Sequence, residues 1–215
     1  MNSEILKRII SSILLIPICI FVILQGSLIF SLFIFLTYLM SIYEWYKMSK
    51  GKVYKLFGFI FLTISFYSIY KIRFDFNEEY LHLLFTLIIC ISTDIGGYTF
   101  GKILKGPRLT KISPNKTIAG FIGSYVFALI SIYVFLNFAE FNFTNTYSEF
   151  FLLVILISTV SQLGDLLISF FKRLSKIKDT GKLIPGHGGI LDRIDGMIFA
   201  IPFSYFLFLT NLFKL

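Results

Sequence analysis

Apolar residues fill this chain in long unbroken stretches, without the alternation of a half-buried strand or the regular polar face of a soluble helix. Seven stretches can be drawn, at residues 9–24, 27–43, 56–70, 80–93, 117–138, 150–171 and 197–213. A bilayer core of about 30 Å takes roughly 20 apolar residues per helix, so each stretch predicts a membrane span. The third and fourth are short and need their flanks to reach across. Pro17 and Pro202 fall within spans, which membrane helices tolerate when neighbours satisfy the freed carbonyl. The pattern predicts an all-α, polytopic transmembrane helix bundle of about seven spans, forming one domain over residues 1–215.

Composition agrees. Of 215 residues, 56% are hydrophobic and only 15% charged, too few charges to cover a soluble domain of this size. The net charge of +8 raises the question of nucleic acid. No basic patch interleaved with aromatics lies outside the spans, so no nucleic-acid partner is expected. Cys19 and Cys90 sit in apolar runs without metal or disulfide spacing and read as packing residues. The first run follows Lys7 and Arg8 as in a signal peptide, but it lacks a small-x-small site and leads straight into another span. It therefore reads as a retained first helix.

The charge is unevenly distributed. With the N-terminus inside, the inner segments hold 17 of the 20 Lys and Arg residues, and the outer ones only Lys71, Arg73 and Lys214. That split predicts an N-inside, C-outside protein of the cytoplasmic membrane, with its chemistry facing the cytoplasm. Two inner segments, 94–117 and 172–196, are longer than connections need to be.

Asp165 lies inside the sixth span, where an ionisable group costs on the order of 3 kcal/mol unless it is paired or wet. Ser161, Asp165, Ser169 and Lys172 follow one another at i, i+4, i+8 and i+11 and share one polar stripe. Such a stripe is either a helix–helix hydrogen-bonding seam or the wall of a site, and a seam has no need of a carboxylate. The next segment carries Lys172, Arg173, Lys176, Lys178 and Lys182, then Pro185-Gly186-His187-Gly188-Gly189. Its cations suit phosphates or anionic headgroups, and its glycines allow backbone N–H groups close to a phosphate. The glycine run alone would equally serve as a flexible turn.

Asp192 and Asp195, at i and i+3, share a face at the mouth of the last span. With Asp165 they form a hard-oxygen set of the kind Mg²⁺ takes. Read alone, the pair fits a helix-end cap with a surface ion pair to Arg193. Asp94 ends the fourth span, while Ser113, Lys116 and Thr117 open the fifth, where a helix N-terminus favours phosphate. His82, near the outer end of the fourth span, reads as a bystander.

The run Ser169-x-Phe171-Lys172-Arg173-x4-Lys178-Asp179-x-Gly181-x2-Ile184-Pro185-x-His187-Gly188-Gly189-Ile190-x-Asp192-Arg193-Ile194-Asp195 closely resembles the signature of the phosphatidate cytidylyltransferases, or CDP-diacylglycerol synthases. Ser113-Pro114-x-Lys116-Thr117, Asp94-x3-Tyr98-x2-Gly101 and the opening Leu6-Lys7-Arg8-Ile9 are also similar to that family. The resemblance implies that CTP and phosphatidic acid react to give CDP-diacylglycerol and pyrophosphate for phospholipid biosynthesis. It implies Mg²⁺, accompanied by a monovalent cation such as K⁺, and a homodimer in the bilayer. It casts Asp165, Asp192 and Asp195 as metal ligands, with Lys172, Arg173, Lys178 and Lys116 on phosphates. Asp179 and His187 would bind nucleotide or orient the loop, and Arg193 joins the catalytic set. Thr117, Ser113, Ser169, Gly188, Gly189 and Asp94 would contact substrate. No general base is implied, since a phosphate dianion is already nucleophilic.

Two departures stand out. The family usually places Glu two residues after the Lys-Thr pair, where this chain has Ala119, and the chain is short for a family that often has eight or nine spans. The rival readings are a CTP-dependent lipid-alcohol kinase, an ion-coupled transporter using Asp94 and Asp165 as relays, and a non-catalytic lipid-binding scaffold. A CDP-alcohol phosphotransferase is disfavoured because its Asp-Gly-x2-Ala-Arg run is absent.

Overall fold

The structure, a computed structural model, describes residues 3–75, 80–138, 147–184, 186 and 188–210. Among these residues lie eight helices: α1 (Ser3–Gln25), α2 (Ser27–Ser49), α3 (Lys55–Phe74), α4 (Leu81–Leu104), α5 (Ile118–Phe138), α6 (Tyr147–Leu174), the single turn α7 (Leu191–Ile194) and α8 (Met197–Leu209). No strand occurs among the described residues, only two isolated bridges. α2 to α6 are long and apolar enough to cross a membrane, and α1 and α8 contribute the shorter apolar stretches Ile13–Gln25 and Met197–Leu209. Each of the seven predicted spans thus has its helix, the last reaching the end of the described residues. The protein is integral to a membrane, and Leu28, Ile60, Tyr133 and Phe206 stand exposed on the surface that lipid covers.

Several expected boundaries move, and α2 runs on from the expected residue 43 to Ser49. The fourth span does not end at residue 93; α4 continues to Leu104, so the long inner segment shrinks to 105–117. The glycines of this stretch let two helices touch. A Cβ on Gly96 would lie 2.7 Å from the Gly123 carbonyl oxygen, and one on Gly120 would lie 2.6 Å from that of Gly97. α3 likewise runs on to Phe74 and takes Lys71 and Arg73 into its last turn. Arg73 is buried: its Nε donates to the Ile23 carbonyl at 3.0 Å, and its guanidinium faces Phe30, Phe74 and Tyr80. It pins the α1–α2 turn, where Gly26 (φ +61°) has no room for a Cβ beside it.

In lipid, burying one helix against another gains little hydrophobic energy, so close packing and interhelical hydrogen bonds decide which helices associate. The Thr93 hydroxyl donates to Ser158 at 2.8 Å, and the Ser124 hydroxyl donates to the Thr93 carbonyl at 2.8 Å, joining α4, α5 and α6. Each such bond contributes about 0.6 kcal/mol. One apolar cluster, including Phe30, Ile72, Phe85, Ile89, Leu153 and Ile157, fills much of the bundle. A second, of Trp45, Met48, Leu62, Phe66, Ile168, Leu191 and Ile198, includes a residue of the signature segment itself.

The connections 50–54, 105–117 and 175–190 gather at one end of the bundle. There the Ser175 hydroxyl donates to the Met48 carbonyl at 3.0 Å and lies 2.6 Å from the Tyr54 hydroxyl, while Lys116 pairs with Asp165. At the other end Arg73 meets Ile23, and Tyr205 approaches Asp75.

Replacing Gly120 with Leu should force α4 and α5 apart and cost roughly 1–3 kcal/mol. Thermal melting of the detergent-solubilised protein reads this as a lowered midpoint, whereas Ile122→Leu, on the exposed side of α5, should melt like the wild type.

Candidate active site

The signature segment is a compact hydrogen-bonded unit built around one carboxylate. α6 brings Asp165, Ser169 and Lys172 to the site end, and the chain then loops through 175–190 into α7 and turns at Gly196 into α8. Gly196 is required there, because a Cβ on it would lie 2.6 Å from the Ser161 hydroxyl oxygen on α6. The loop is closed by reciprocal backbone bonds between Ile184 and Gly188, and Gly188 takes φ +91°.

Asp192, on α7, is buried, and both of its oxygens are engaged. Oδ1 pairs with Lys172 Nζ at 2.9 Å. Oδ2 accepts from the Thr180 N–H at 2.8 Å, the Gly189 N–H at 3.0 Å and the Thr180 hydroxyl at 3.1 Å. Burial works to raise the Asp192 pKa, but the Gly189 N–H, Lys172 and the Thr180 N–H outweigh it, and the carboxyl is held below its ordinary value. Lys172 Nζ also reaches Asp195 at 3.7 Å, so the i, i+3 carboxylates are bridged by one ammonium. Asp195 behaves oppositely: burial, then the negative charges of Asp165 and Asp94, push its pKa well up against the opposing pull of Lys172 and Lys116.

Facing this unit, Lys116 at the start of α5 forms an ion pair with Asp165. The Ser169 hydroxyl lies 3.4 Å from the other Asp165 oxygen, which places the predicted polar stripe on one face of α6. Thr117 caps α5, its hydroxyl oxygen accepting the Gly120 N–H at 3.0 Å. Ser113 helps shape the preceding turn: its carbonyl accepts from the Lys116 N–H at 3.1 Å. Asp94 is exposed on α4 yet close enough to act electrostatically on Asp195.

The structure therefore brings together Asp94, Lys116, Asp165, Lys172, Asp192 and Asp195. Arg173, Lys178, Asp179 and Arg193 are exposed around them, and Arg173 donates to the Ile177 carbonyl at 3.2 Å. His187 lies outside the described residues. Among the described residues, no three His, Cys, Asp or Glu side chains are gathered tightly enough to hold a metal ion unaided.

The Cytidylyltransferase family model matches residues 54–211, nearly three quarters of the chain. The chain belongs to the cytidylyltransferase family. Among similar family members is a phosphatidate cytidylyltransferase of Staphylococcus saprophyticus, 38% identical over 148 residues, which are 68% of this chain and 55% of that protein. Another, of Bacillus subtilis, is 38% identical over 149 residues, 69% of this chain and 55% of its own length. A third, of Staphylococcus haemolyticus, is 41% identical over 143 residues, 66% and 53% of the two chains. This cytidylyltransferase-family chain thus spans about half the length of the curated relatives it matches.

Two polar residues of the site escaped sequence reasoning, Thr180 and Glu44. Glu44, on α2, is 2% exposed and accepts three hydrogen bonds from the signature segment. The available signal was a lone acid in the apolar run Ser41-Ile42-Tyr43-Glu44-Trp45.

The lowered pKa of Asp192 gives a signed pH dependence. Its contribution to stability is fully present above the unfolded carboxylate value of about 3.9 and is lost as pH falls through the lower folded value. Melting midpoints followed from pH 6 to pH 3 should fall further for wild type than for Asp192→Asn, with the difference concentrated below about pH 4.

Proposed function

We propose that this protein transfers CMP from CTP to phosphatidic acid, giving CDP-diacylglycerol and pyrophosphate. The observation that carries the reading is the folded signature, in which Lys172, Asp192 and Asp195 form one unit opposite Lys116 and Asp165. The relatives that are phosphatidate cytidylyltransferases support it. A phosphate oxygen of phosphatidic acid attacks the α-phosphorus of CTP. The new P–O bond forms as the bond to the β-phosphate oxygen breaks, and pyrophosphate leaves with the electron pair. Both reactants are anions, so the barrier is largely electrostatic and fixed cations lower it. Lys116 and Lys172 are the cations nearest the carboxylates, while exposed Arg173, Lys178 and Arg193 form a rim able to draw in the triphosphate.

Asp165 and Asp195, with Asp94 beside them, fit Mg²⁺. The half-buried Asp195 carboxyl suffers from its neighbours' charge, which a divalent cation would relieve. Mg²⁺ needs only one or two protein carboxylates because water and substrate phosphates complete its shell. When bound, it neutralises charge on the transferring and leaving phosphates. Asp192, expected from sequence to share this ligand role, is held by Lys172, Thr180 and Gly189 and in this reading also organises the loop. Ser113, Thr117, Ser169, Gly188 and Gly189 line or shape the phosphate side. Asp179 and His187 are assigned to the nucleotide.

Purified protein incubated with phosphatidic acid, Mg²⁺ and labelled CTP should form a CDP-lipid and pyrophosphate in equal amounts. Release of CDP with a phosphorylated lipid alcohol would establish a kinase instead. Asp165→Asn and Asp195→Asn should each lower turnover about 100-fold and weaken its Mg²⁺ dependence, while exposed Lys47→Ala stays near wild type. Unchanged turnover and Mg²⁺ dependence in both Asn variants would rule out this ligand pair. Exchanging K⁺ for a bulky organic cation tests the monovalent requirement, and light scattering in detergent tests the homodimer.

We also infer that the site end faces the cytoplasm, supported by the 17 Lys and Arg residues assigned to the inner segments. A cysteine introduced at Lys111 should be shielded from impermeant thiol reagents in intact cells and labelled in inverted vesicles. Labelling in intact cells would reverse the orientation.

A further inference from the structure

Glu44 lies upstream of the segment that the family model matches, yet its carboxylate sits between the two limbs of the signature loop. Oε2 accepts from the Thr180 hydroxyl at 2.9 Å and the Leu191 N–H at 2.9 Å, and Oε1 accepts from the Ile190 N–H at 3.0 Å. Thr180 is on the outgoing limb, and Ile190 and Leu191 are on the returning one. Two glycines admit the carboxylate. A Cβ on Gly181 would stand 2.5 Å from Oε1, and a Cβ on Gly189 would collide with Oε2. No cation pairs with Glu44 among the described residues, so a buried carboxylate is held by three neutral donors alone.

Three convergent donors call for a carboxylate. A glutamine in its place would present one carbonyl oxygen and, in either orientation, turn its N–H₂ group against a backbone N–H, that of Ile190 or that of Leu191. The contacts also lead onward. The Thr180 hydroxyl has one proton and lies within hydrogen-bond distance of Glu44 Oε2 and of Asp192 Oδ2, at 2.9 and 3.1 Å. Asp192 holds Lys172, and Lys172 reaches Asp195. α2 is thereby linked to the charged centre through Thr180, Asp192 and Lys172.

We propose that Glu44 is a positioning residue: it clamps both limbs of the signature loop onto α2 and so sets where Asp192, Lys172 and Asp195 stand. It touches no reacting atom. The structural half of the proposal, a clamped loop, stands on geometry alone; the kinetic half rests on the cytidylyl-transfer reading.

The test uses the full chain in detergent with added lipid and two readouts. One is trypsin cleavage after the exposed Lys178 and after Lys182. The other is kcat and KM for CTP. Glu44→Gln should speed cleavage in the loop about tenfold or more while helix content and elution volume stay those of wild type. It should lower kcat about 100-fold, the scale of a misplaced catalytic group, with a much smaller change in KM. Thr180→Ser, which keeps the hydroxyl, should follow wild type, and Thr180→Val should follow Glu44→Gln. The double variant should be little worse than either single, as expected for two parts of one device.

Wild-type cleavage and kcat in folded Glu44→Gln would overturn the proposal. If that variant does not fold, the Thr180 pair decides, and equal behaviour of Ser and Val would overturn it. A wild-type chain that makes no CDP-lipid, but whose loop opens on Glu44→Gln, would remove the transfer reading and leave the clamp intact. An active wild type whose loop and turnover ignore both substitutions would do the reverse.

Discussion

A carboxylate buried at the edge of a bilayer has little water to dissolve it, so its lone pairs must be answered by the protein. Asp192 meets this demand with an ammonium, two backbone N–H groups and a hydroxyl whose one proton it shares with Glu44. Those four donors come from α6 and from both limbs of the loop that follows, so satisfying one side chain fixes the path of the surrounding chain. Lys172 is drawn inward from the helix end where it would otherwise seek solvent. Asp195 is carried along with it, and the return to α8 is left one tight passage, over Ser161 at Gly196. The pKa of Asp192 is held low because that carboxylate takes most of the available donors, whereas burial first, and then the acids beside it, push that of Asp195 up.

The remainder of the bundle supports this centre by means suited to lipid. Apolar contact does not by itself choose helix partners in a membrane. The choice falls to small residues, hydroxyl pairs and a few buried ions. The two ends of the bundle differ in how they use charge. At one end, Arg73 is spent on structure, tying the first helical turn-around to the end of α3. At the other, carboxylates and ammonium groups are concentrated around an open rim of Arg173, Lys178 and Arg193. The proposed reaction between two anions would need that concentration, and the fold provides it where the membrane interior gives way to the aqueous connections.

Much of this was legible along the chain. Long apolar runs revealed the spans because a bilayer leaves no alternative to continuous helix. The spacing of Ser161, Asp165, Ser169 and Lys172 revealed a polar face because helix geometry is regular. Illegible features depended on partners far away in sequence. Gly96, Gly97 and Gly101 look like loop residues until α5 lies against them, and so the helical stretch 94–104 read as a connection. Lys116 has the look of a phosphate ligand, and nothing near it in sequence announces Asp165 as its partner. Glu44 was harder still. One acid near the end of a span is ordinary, and the residues that make it unusual lie on a loop more than 130 positions away. Asp192 could be placed at the site from sequence, but its hold on the loop could not, because that depends on which donors the folded loop aims at it.

The glycine contact between α4 and α5 bears on traffic through the membrane. Where two backbones meet with no side chain between them, no crevice remains wide enough for a hydrocarbon tail. If the proposed lipid substrate approaches Lys116 and Asp165 sideways from the bilayer, that line is closed to it and its way in lies beside another helix. The seam acts as a closed wall, and in closing one side it would narrow the directions from which such a substrate arrives.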